Sequence, residues 1–443
     1  MSERVLRSAT ELAPAPHTGV GTASSPRPVA ELRKGGQKPS PPVTALNPLI
    51  TFFSSLRLTV ACLAFGIVLV LWGTLAQVEI GTFKAQNEFF RSLFIYWTPK
   101  GSALRIPIFP GGYSLGFLLL TNLLTAHFTR FKWTIKKAGI WITHFGLILL
   151  LLGQLLTDML ARESVVKLYE GETKNYSEDF RGTELVLIDK TDPQSDLVFS
   201  IPDKLVREQA EIHDSRLPLA LRIKKVWPNA AVVKPDSQAP MAVPSGATAG
   251  NLKDYRLIPE APVSENDQRN SAAALVEVLN GTQPLGSFFL TVLSSGGQSF
   301  SLGGKQYELG LRFVRYYYPF SLTLLKATHE QYRGTKTPKN FASRVRVQNS
   351  DQNEARETTI YMNNPLRYAG LTFYQYQMLA GEMAREAGEA PNSVFQVVRN
   401  PGWLTPYLSC VLITLGLVIQ FGMHLVGFVR RRSISPKRAN AAA

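Results

Sequence analysis

Three histidines lie in or at the edge of apolar segments that are long enough to cross a membrane: His127, His144 and His424. An ionisable side chain inside a bilayer is costly, so it points to a function. A neutral imidazole nitrogen is a good ligand for haem iron, and the core of a helix bundle is where such ligands sit. The alternative is a histidine that hydrogen-bonds to a neighbouring helix.

The apolar segments define the fold class. Each is about as long as a helix needs to cross a bilayer. They are Leu56–Leu75, Tyr113–Thr129, Ala138–Leu156 and Leu404–Val429. The first is not expected to be a cleavable signal peptide, because no small-residue cleavage site follows it. The sequence therefore predicts an integral membrane protein with four transmembrane α-helices.

The net charge of +15 is unevenly distributed, which predicts the topology. Residues 159–403 hold 28 Lys and Arg against 27 Asp and Glu, so this large region is nearly neutral. The excess lies in residues 1–55, in Arg130–Lys137 and in Arg430–Arg438. The positive-inside rule places these three pieces in the cytoplasm and residues 76–112 and 159–403 outside. All three histidines then lie toward the cytoplasmic side, and nucleic acid is not an expected partner.

This topology divides the chain into five parts. Residues 1–47 are predicted to be a disordered cytoplasmic arm. Residues 48–158 hold three transmembrane helices, with an outward loop at 76–112. Residues 159–403 form the extracytoplasmic domain, residues 404–429 the fourth helix and residues 430–443 a basic cytoplasmic tail. In the outward loop, the stripe NEFFRSLFIYW predicts either an interfacial helix or a helix packed against the domain.

The extracytoplasmic region contains about ten runs of alternating apolar and polar residues, rich in β-branched and aromatic types and separated by turn residues. YELGLRFVRYY and FSLTLLKAT are two of these runs. This pattern predicts a mainly antiparallel β domain, either a sandwich or an open barrel. Residues 228–250 lack periodicity and are predicted to be a loop insertion.

Other catalytic chemistry is not indicated. Cys62 and Cys410 lie inside predicted spans, where cysteine behaves as a small hydrophobe, and no CxxC motif suggests a thiol–disulfide carrier. His213 and His329 each stand alone, without a second ligand at metal-binding spacing. No hydrolase, nucleotide-binding or zinc-protease motif occurs.

Several separated motifs resemble the ResB (CcsB) family of cytochrome c biogenesis proteins, over residues 48–430. SSLRLTVACLAF and TNLLTAHFTRFKW…KKAGIWITHFGLILLLLG resemble its first three spans, and VKLYEGETKNY resembles the entry into its outer domain. The most specific stretch is an Asn-x-Pro-Leu…Gly…Phe-Tyr-Gln pattern. It falls on Asn363, Pro365, Leu366, Gly370, Phe373, Tyr374 and Gln375.

The resemblance implies a function in the system II pathway. With a CcsA (ResC)-like membrane protein, such a subunit carries haem b across the membrane. The complex presents it for covalent attachment to CxxCH motifs of apocytochrome c. The chain is then one subunit of a cytochrome c haem lyase and not an enzyme alone. Thiol-reducing proteins of the pathway are further expected partners. The resemblance also implies the inner (cytoplasmic) membrane of a bacterium, with a periplasmic domain.

The resemblance separates the three histidines. His144 corresponds to the family's third-span histidine and is the expected axial haem ligand, while His127 is an alternative ligand and His424 is expected to be structural. The second axial ligand is expected from another polypeptide. The Asn363–Gln375 motif is either structural or a docking site for a partner. The competing hypothesis for the whole chain is a cofactor-free, membrane-anchored accessory subunit of an export or envelope assembly complex.

Overall fold

The computed structural model describes residues 48–99, 101–102, 104–130, 134–294, 296–332 and 338–439. The predicted arm at residues 1–47 and the last four residues of the predicted tail lie outside these ranges.

Each of the four predicted spans is a helix, and each helix begins within one residue of the predicted position. Among the described residues the α-helices are α1 (Pro48–Phe53), α2 (Leu56–Ile80), α3 (Thr82–Ala85), α4 (Gly112–Arg130), α5 (Ala138–Leu160), α6 (Glu382–Ala387) and α7 (Thr405–Ala439). Ser55 caps α2 by accepting a hydrogen bond from the Arg57 backbone N–H. α7 continues ten residues beyond the predicted end at Val429, so part of the predicted tail is helical.

Three helical segments of the described residues are long and apolar enough to cross a membrane: Leu56–Ile80, Ile135–Leu160 and Thr405–Arg432. The first is α2, the second is a 3₁₀ turn (Ile135–Lys137) followed by α5, and the third is most of α7. The predicted second span, α4, is not among them, because it carries polar residues in its middle. The most buried of these is Asn122, whose side chain accepts a hydrogen bond from Thr59 Oγ1 (2.6 Å) and donates to the carbonyl of Phe53 (2.6 Å). The low apolarity of α4 thus reflects a polar contact with the start of α2.

The loop between α2 and α4 differs from the predicted single helix. The stripe NEFFRSLFIYW begins in a short π-helix (Gln86–Phe90) and ends in strand β1 (Phe94–Trp97), which pairs with β2 (Ile106–Pro110). Phe89 is buried in a cluster with Leu69 of α2 and Leu115 of α4. The helical half of the stripe therefore packs against the other helices.

The predicted β domain is present and its named strands pair antiparallel. The strands are β3 (Arg162–Tyr169), β4 (Thr173–Asp189), β5 (Leu197–Pro202), β6 (Glu211–Ile212), β7 (Ala220–Trp227), β8 (Ala230–Val233), β9 (Val243–Pro244), β10 (Arg256–Pro259), β11 (Ala273–Asn280), β12 (Gln283–Thr291), β13 (Gln298–Leu302), β14 (Lys305–Gln331), β15 (Pro338–Asn349), β16 (Glu354–Tyr361), β17 (Leu366–Tyr368), β18 (Leu371–Leu379) and β19 (Asn392–Arg399).

The largest sheet has ten strands and nearly closes into a barrel. Its order is β16-β15-β14-β4-β3-β19-β18-β17, with β5 and β13 added beside β4 and β14. Alternate residues of these strands fill the interior, including the fully buried Leu168, Leu324, Phe373 and Phe395. The structure therefore combines the two predicted alternatives, since this barrel-like part continues into a layered part.

The layered part exists because β4 and β14 are long. Their outer halves, with β5 and β13, face a four-stranded sheet of order β12-β11-β7-β6. Leu187 and Leu309 from one layer pack with Leu221 and Val276 from the other. The predicted strands YELGLRFVRYY and FSLTLLKAT are in fact one continuous strand, β14.

The prediction of a loop insertion at residues 228–250 is wrong in part. β8 and β9 within it form a three-stranded sheet with β10, over a small core that includes Trp227 and Leu257. These strands have only four, two and four residues. Runs this short show no clear alternation.

One loop of the β domain contacts α3, which directly follows α2. Glu265 Oε2 accepts a hydrogen bond from Thr82 Oγ1 (3.1 Å), and the Ser264 carbonyl accepts one from the Phe83 N–H (2.8 Å). The Arg181 guanidinium lies 3.7 Å from the centre of the Phe83 ring. We call the end of the helical region near this contact the domain end, and the opposite end, with the α4–α5 connection, the distal end.

Candidate functional site

His127 lies in the last turn of α4, at the distal end. Its side chain is buried, with 6% of its surface exposed. The ring of Trp141, on α5, is in edge contact with it, with ring centres 3.9 Å apart and planes at 73°. Trp141 is itself buried. The imidazole of His127 is therefore enclosed between two helices.

His144 lies on α5, one turn after Trp141, and faces the same interface. The ring centres of His127 and His144 are 6.3 Å apart, with the planes tilted by 31°. His144 is only partly buried. Of the two imidazoles, His144 is thus the more accessible to a ligand.

A backbone hydrogen bond orients His144. Its Nδ1 lies 2.8 Å from the carbonyl oxygen of Ile140, one turn earlier. A carbonyl oxygen only accepts, so Nδ1 donates its proton, and this tautomer places the imidazole lone pair on Nε2. Metal-binding histidines are commonly oriented by such a bond to a carbonyl. The arrangement therefore fits an axial ligand to haem iron.

The packing of α5 on α7 explains why His144 faces α4. Gly139, Gly146 and Gly153 recur every seven residues, on the α5 face that contacts α7. A Cβ atom on Gly146 would lie 2.8 Å from Ile413 Cγ1, so the two helices approach closely there. His144 is about 200° around the helix from Gly146. It is therefore on the opposite side of α5.

His424 has a different environment. It is exposed on α7, and its Nε2 lies 2.8 Å from Nε2 of Gln420 in the preceding turn. The structure thus brings two of the three predicted membrane histidines together and places the third on a separate helix face.

The two histidines in the β domain have local contacts. His213 is exposed beside Glu211, with Nε2 3.3 Å from Oε2. His329 stacks on Phe341, with ring centres 4.3 Å apart. Within the described part of the chain, no group of three or more His, Cys, Asp or Glu side chains is arranged to hold a metal ion.

The cysteines are both free thiols. Cys62 is buried as predicted, whereas Cys410 lies on the exposed side of α7. Cys410 is a small hydrophobe on a face that this chain leaves uncovered.

Several residues of the Asn363–Gln375 motif have structural explanations. Asn363 and Gly370 have backbone φ angles of +62° and +75°, which suit turns. Leu366 and Phe373 are buried in the barrel core. The Gln375 amide accepts a hydrogen bond from Ser343 Oγ (2.6 Å) and donates to the carbonyl of Gln377.

The motif also has an exposed part. Tyr374 is 39% exposed and borders a shallow recess of about 450 Å³, whose lining includes Asn363, Pro365 and Arg367. The guanidinium of Arg367 lies 5.9 Å from the ring centre of Trp403, next to α7. The structure thus accommodates both the structural and the docking hypotheses, in different residues of one motif.

Sequence reasoning missed Trp141, which encloses His127, and an ion pair between Arg91 and Asp158 at the domain end. The sequence did contain an indication of Trp141, since it lies three residues before His144 and so shares its helix face. Arg91 and Asp158 are 67 positions apart in the chain, and no sequence pattern connects them.

Comparison with known proteins identifies the family. The ResB-like family matches residues 131–389, more than half of the 443 residues. The chain belongs to the ResB-like family. His144 and the Asn363–Gln375 motif lie inside the matched region, whereas His127 and His424 lie outside it. Membership supports a role in cytochrome c biogenesis.

A curated relative is also similar over a shorter stretch. Protein NrfI of Wolinella succinogenes is 32% identical over 102 residues, which are 23% of this chain. The match spans only 10% of the length of NrfI.

Proposed function

We propose that this chain is a haem-handling subunit of a cytochrome c synthase complex in the bacterial inner membrane. Haem b is its transported substrate, and a CcsA (ResC)-like protein is its partner. The complex presents haem for attachment to CxxCH cysteines of apocytochrome c, with thiol-reducing proteins of the pathway keeping those cysteines reduced. The observation that carries the proposal is the accessible, oriented imidazole of His144 inside an apolar helix.

In this proposal α2, α4, α5 and α7 all cross the membrane. Both termini are cytoplasmic and the β domain is periplasmic. The support is the charge distribution: Arg130–Lys137 connects α4 to α5 and Arg430–Arg438 forms the last turns of α7, whereas the β domain is nearly neutral. The distal end, with His127 and His144, then faces the cytoplasm, from which haem is transported.

Each residue of the distal site has a separate task. His144 Nε2 would hold the haem iron through its lone pair, while Nδ1 donates a hydrogen bond to the Ile140 carbonyl. Trp141 and His127 fill the space on the α4 side and exclude water there. Because His127 is the more enclosed of the two histidines, we assign the ligand role to His144. The partner supplies the opposite ligand.

The β domain provides the surface for partners. The recess at Tyr374, next to Trp403 and the start of α7, lies where a loop of the membrane partner or an apocytochrome segment can reach it. The docking role of the motif is assigned to Tyr374 and Pro365, and its structural role to Asn363, Leu366, Gly370, Phe373 and Gln375.

The test is the haem content of the complex purified with its CcsA-like partner. We expect a b-type absorbance spectrum that is strongly reduced in His144→Ala and restored in part by added imidazole. His213→Ala, an exposed histidine outside the helices, is the matched control and should leave the spectrum unchanged. Unchanged haem content in His144→Ala would remove the ligand assignment. A complex that binds no haem in any form would favour the cofactor-free accessory subunit.

A further inference from the structure

A second site lies at the domain end of the same two helices. A cavity of about 830 Å³ separates α4 from α5 there. Its walls are apolar and include Phe117, Leu120, Leu151 and Leu155. A pocket of this size and character is typical of ligand sites. It is distinct from the histidine pair, because Asp158 at its rim is 14 residues, or about 21 Å of helix, from His144.

The rim of the cavity carries one cation and one anion in contact. Arg91 Nε lies 2.8 Å from Asp158 Oδ1. The Tyr113 hydroxyl donates a hydrogen bond to Asp158 Oδ2. The Arg91 side chain is 48% exposed and that of Asp158 17% exposed, so both charges are within reach of a bound molecule.

The polar rim and the apolar walls together are complementary to an amphiphilic molecule. We infer that the cavity binds a zwitterionic phospholipid with a primary ammonium headgroup. Its phosphate would pair with Arg91, since guanidinium groups bind phosphate through several N–H donors. Its ammonium would donate hydrogen bonds to Asp158, and an acyl chain would cover Phe117, Leu120 and Leu151. The inference rests on the membrane placement of α4 and α5 proposed above.

The charges discriminate between lipid classes. A phosphatidylcholine headgroup has no N–H donor, so it cannot hydrogen-bond to Asp158. Phosphatidylglycerol offers Arg91 the same phosphate, but its headgroup hydroxyls give Asp158 only a neutral hydrogen bond in place of the charged one from an ammonium. The expected order of retention is therefore phosphatidylethanolamine first, then phosphatidylcholine and phosphatidylglycerol, by about tenfold for the loss of a charge-assisted hydrogen bond.

The position of the cavity gives the lipid a structural task. Tyr113, Leu120 and His127 recur every seven residues along α4, and Leu151 and Asp158 continue the same spacing from His144 along α5. One helix interface thus has the histidine pair at one end and the ion pair at the other. A lipid in the cavity would hold α4 and α5 apart at the domain end without touching the distal site.

A cavity-filling variant tests the inference. The full chain, purified with its partner, is exchanged into nanodiscs that contain equal amounts of the three lipids. The lipids that remain after mild detergent extraction are measured by mass spectrometry. Gly116→Leu fills the cavity, because a Cβ atom on Gly116 meets no atom within 4 Å. The matched control is Gly66→Leu on α2, where a Cβ atom likewise meets nothing within 4 Å.

We expect the wild type and Gly66→Leu to retain phosphatidylethanolamine selectively. Gly116→Leu should retain about tenfold less phosphatidylethanolamine than the wild type. Asp158→Asn removes the carboxylate that pairs with the ammonium, so it should lose the headgroup selectivity and keep some lipid; it serves as the second variant if Gly116→Leu does not fold. Equal retention in Gly116→Leu overturns the site, and equal retention of the three lipids overturns its headgroup specificity. Protection of the cavity by a partner helix, seen as absent lipid in the wild-type complex, also overturns it. The b-type spectrum of the same samples is an independent readout of the distal site.

Discussion

The imidazoles of His127 and His144 face each other across the α4–α5 interface, with ring centres 6.3 Å apart. His127 is buried against Trp141, whereas His144 is partly exposed and oriented by the Ile140 carbonyl. This difference in enclosure is the reason for proposing His144, and not His127, as the haem ligand.

Trp141 is expected to position His127 and exclude water from the site. Trp141→Ala should lower the haem content of the complex less than His144→Ala does, because the ligand itself remains. It should also broaden the haem absorbance bands, since the imidazoles lose a packing partner. Trp141→Phe, which keeps an aromatic ring, is the control and should give a spectrum close to that of the wild type. Identical spectra for Trp141→Ala and the wild type would contradict the positioning role.

Close packing of α5 on α7 should be sensitive to added volume. Gly146→Leu places side-chain atoms where Ile413 and the Ser409 carbonyl lie, within about 3 Å of the new Cβ atom. We expect a loss of stability of about 1–3 kcal/mol, measured by thermal unfolding in detergent. Gly66→Leu makes the same chemical change at an open position and should be nearly neutral. Equal effects of the two substitutions would show that the close approach of α5 and α7 does not contribute to the loss of stability.

The contact between α2 and the β domain depends on Gly81. Its φ is +79°, and a Cβ atom there would lie 2.5 Å from Ser264 Cβ. Gly81→Ala should therefore lower the stability of the protein in two ways, through an unfavourable φ angle and through a steric clash with Ser264. Gly171 has φ +85° and open space around it, so Gly171→Ala measures the conformational penalty alone, about 1–2 kcal/mol. Limited proteolysis at the Ser264 loop should be faster in Gly81→Ala than in Gly171→Ala. Equal rates would mean that the contact at Gly81 does not restrain the Ser264 loop.

Acid stability should include a contribution from Asp189. Hydrogen bonds from Thr191 and from the Lys305 ammonium (3.0 Å) lower the pKa of Asp189 to about 2. Since an unfolded aspartate has a pKa of about 3.9, the contribution is fully present above that value and is lost as the pH falls through about 2. Asp189→Asn should be less stable than the wild type at pH 7, and the difference should shrink between pH 4 and pH 2. Urea unfolding at several pH values measures this, and a difference independent of pH would contradict it.

The proposed topology predicts which sites an added protease reaches in spheroplasts, whose periplasmic face is open to the medium. A tag after Ala443 should stay protected, because the basic Arg430–Arg438 segment places it in the cytoplasm. A protease site inserted at residue 238, in the connection between β8 and β9, should be cut. Digestion of the C-terminal tag in unlysed spheroplasts would reverse the assigned orientation.

The sequence by itself determined the features that depend on local pattern. Apolar length identified four helices, including α4, and alternation identified most strands of the β domain. Charge counts predicted an orientation, and the motifs around His144 and Asn363–Gln375 indicated the family that the comparisons then showed. These inferences work because helix and strand periodicities repeat within a few residues.

Only the tertiary structure decided which residues meet. It paired His127 with His144, enclosed His127 beneath Trp141, left His424 on another face and joined Arg91 to Asp158. It also formed β8 and β9 within residues 228–250, paired both with β10, and joined two predicted strands into β14. Such outcomes depend on how helices rotate against each other and on which strands become neighbours. Those choices follow from packing between residues far apart in the chain, such as the glycine face of α5 against α7, which no local pattern contains.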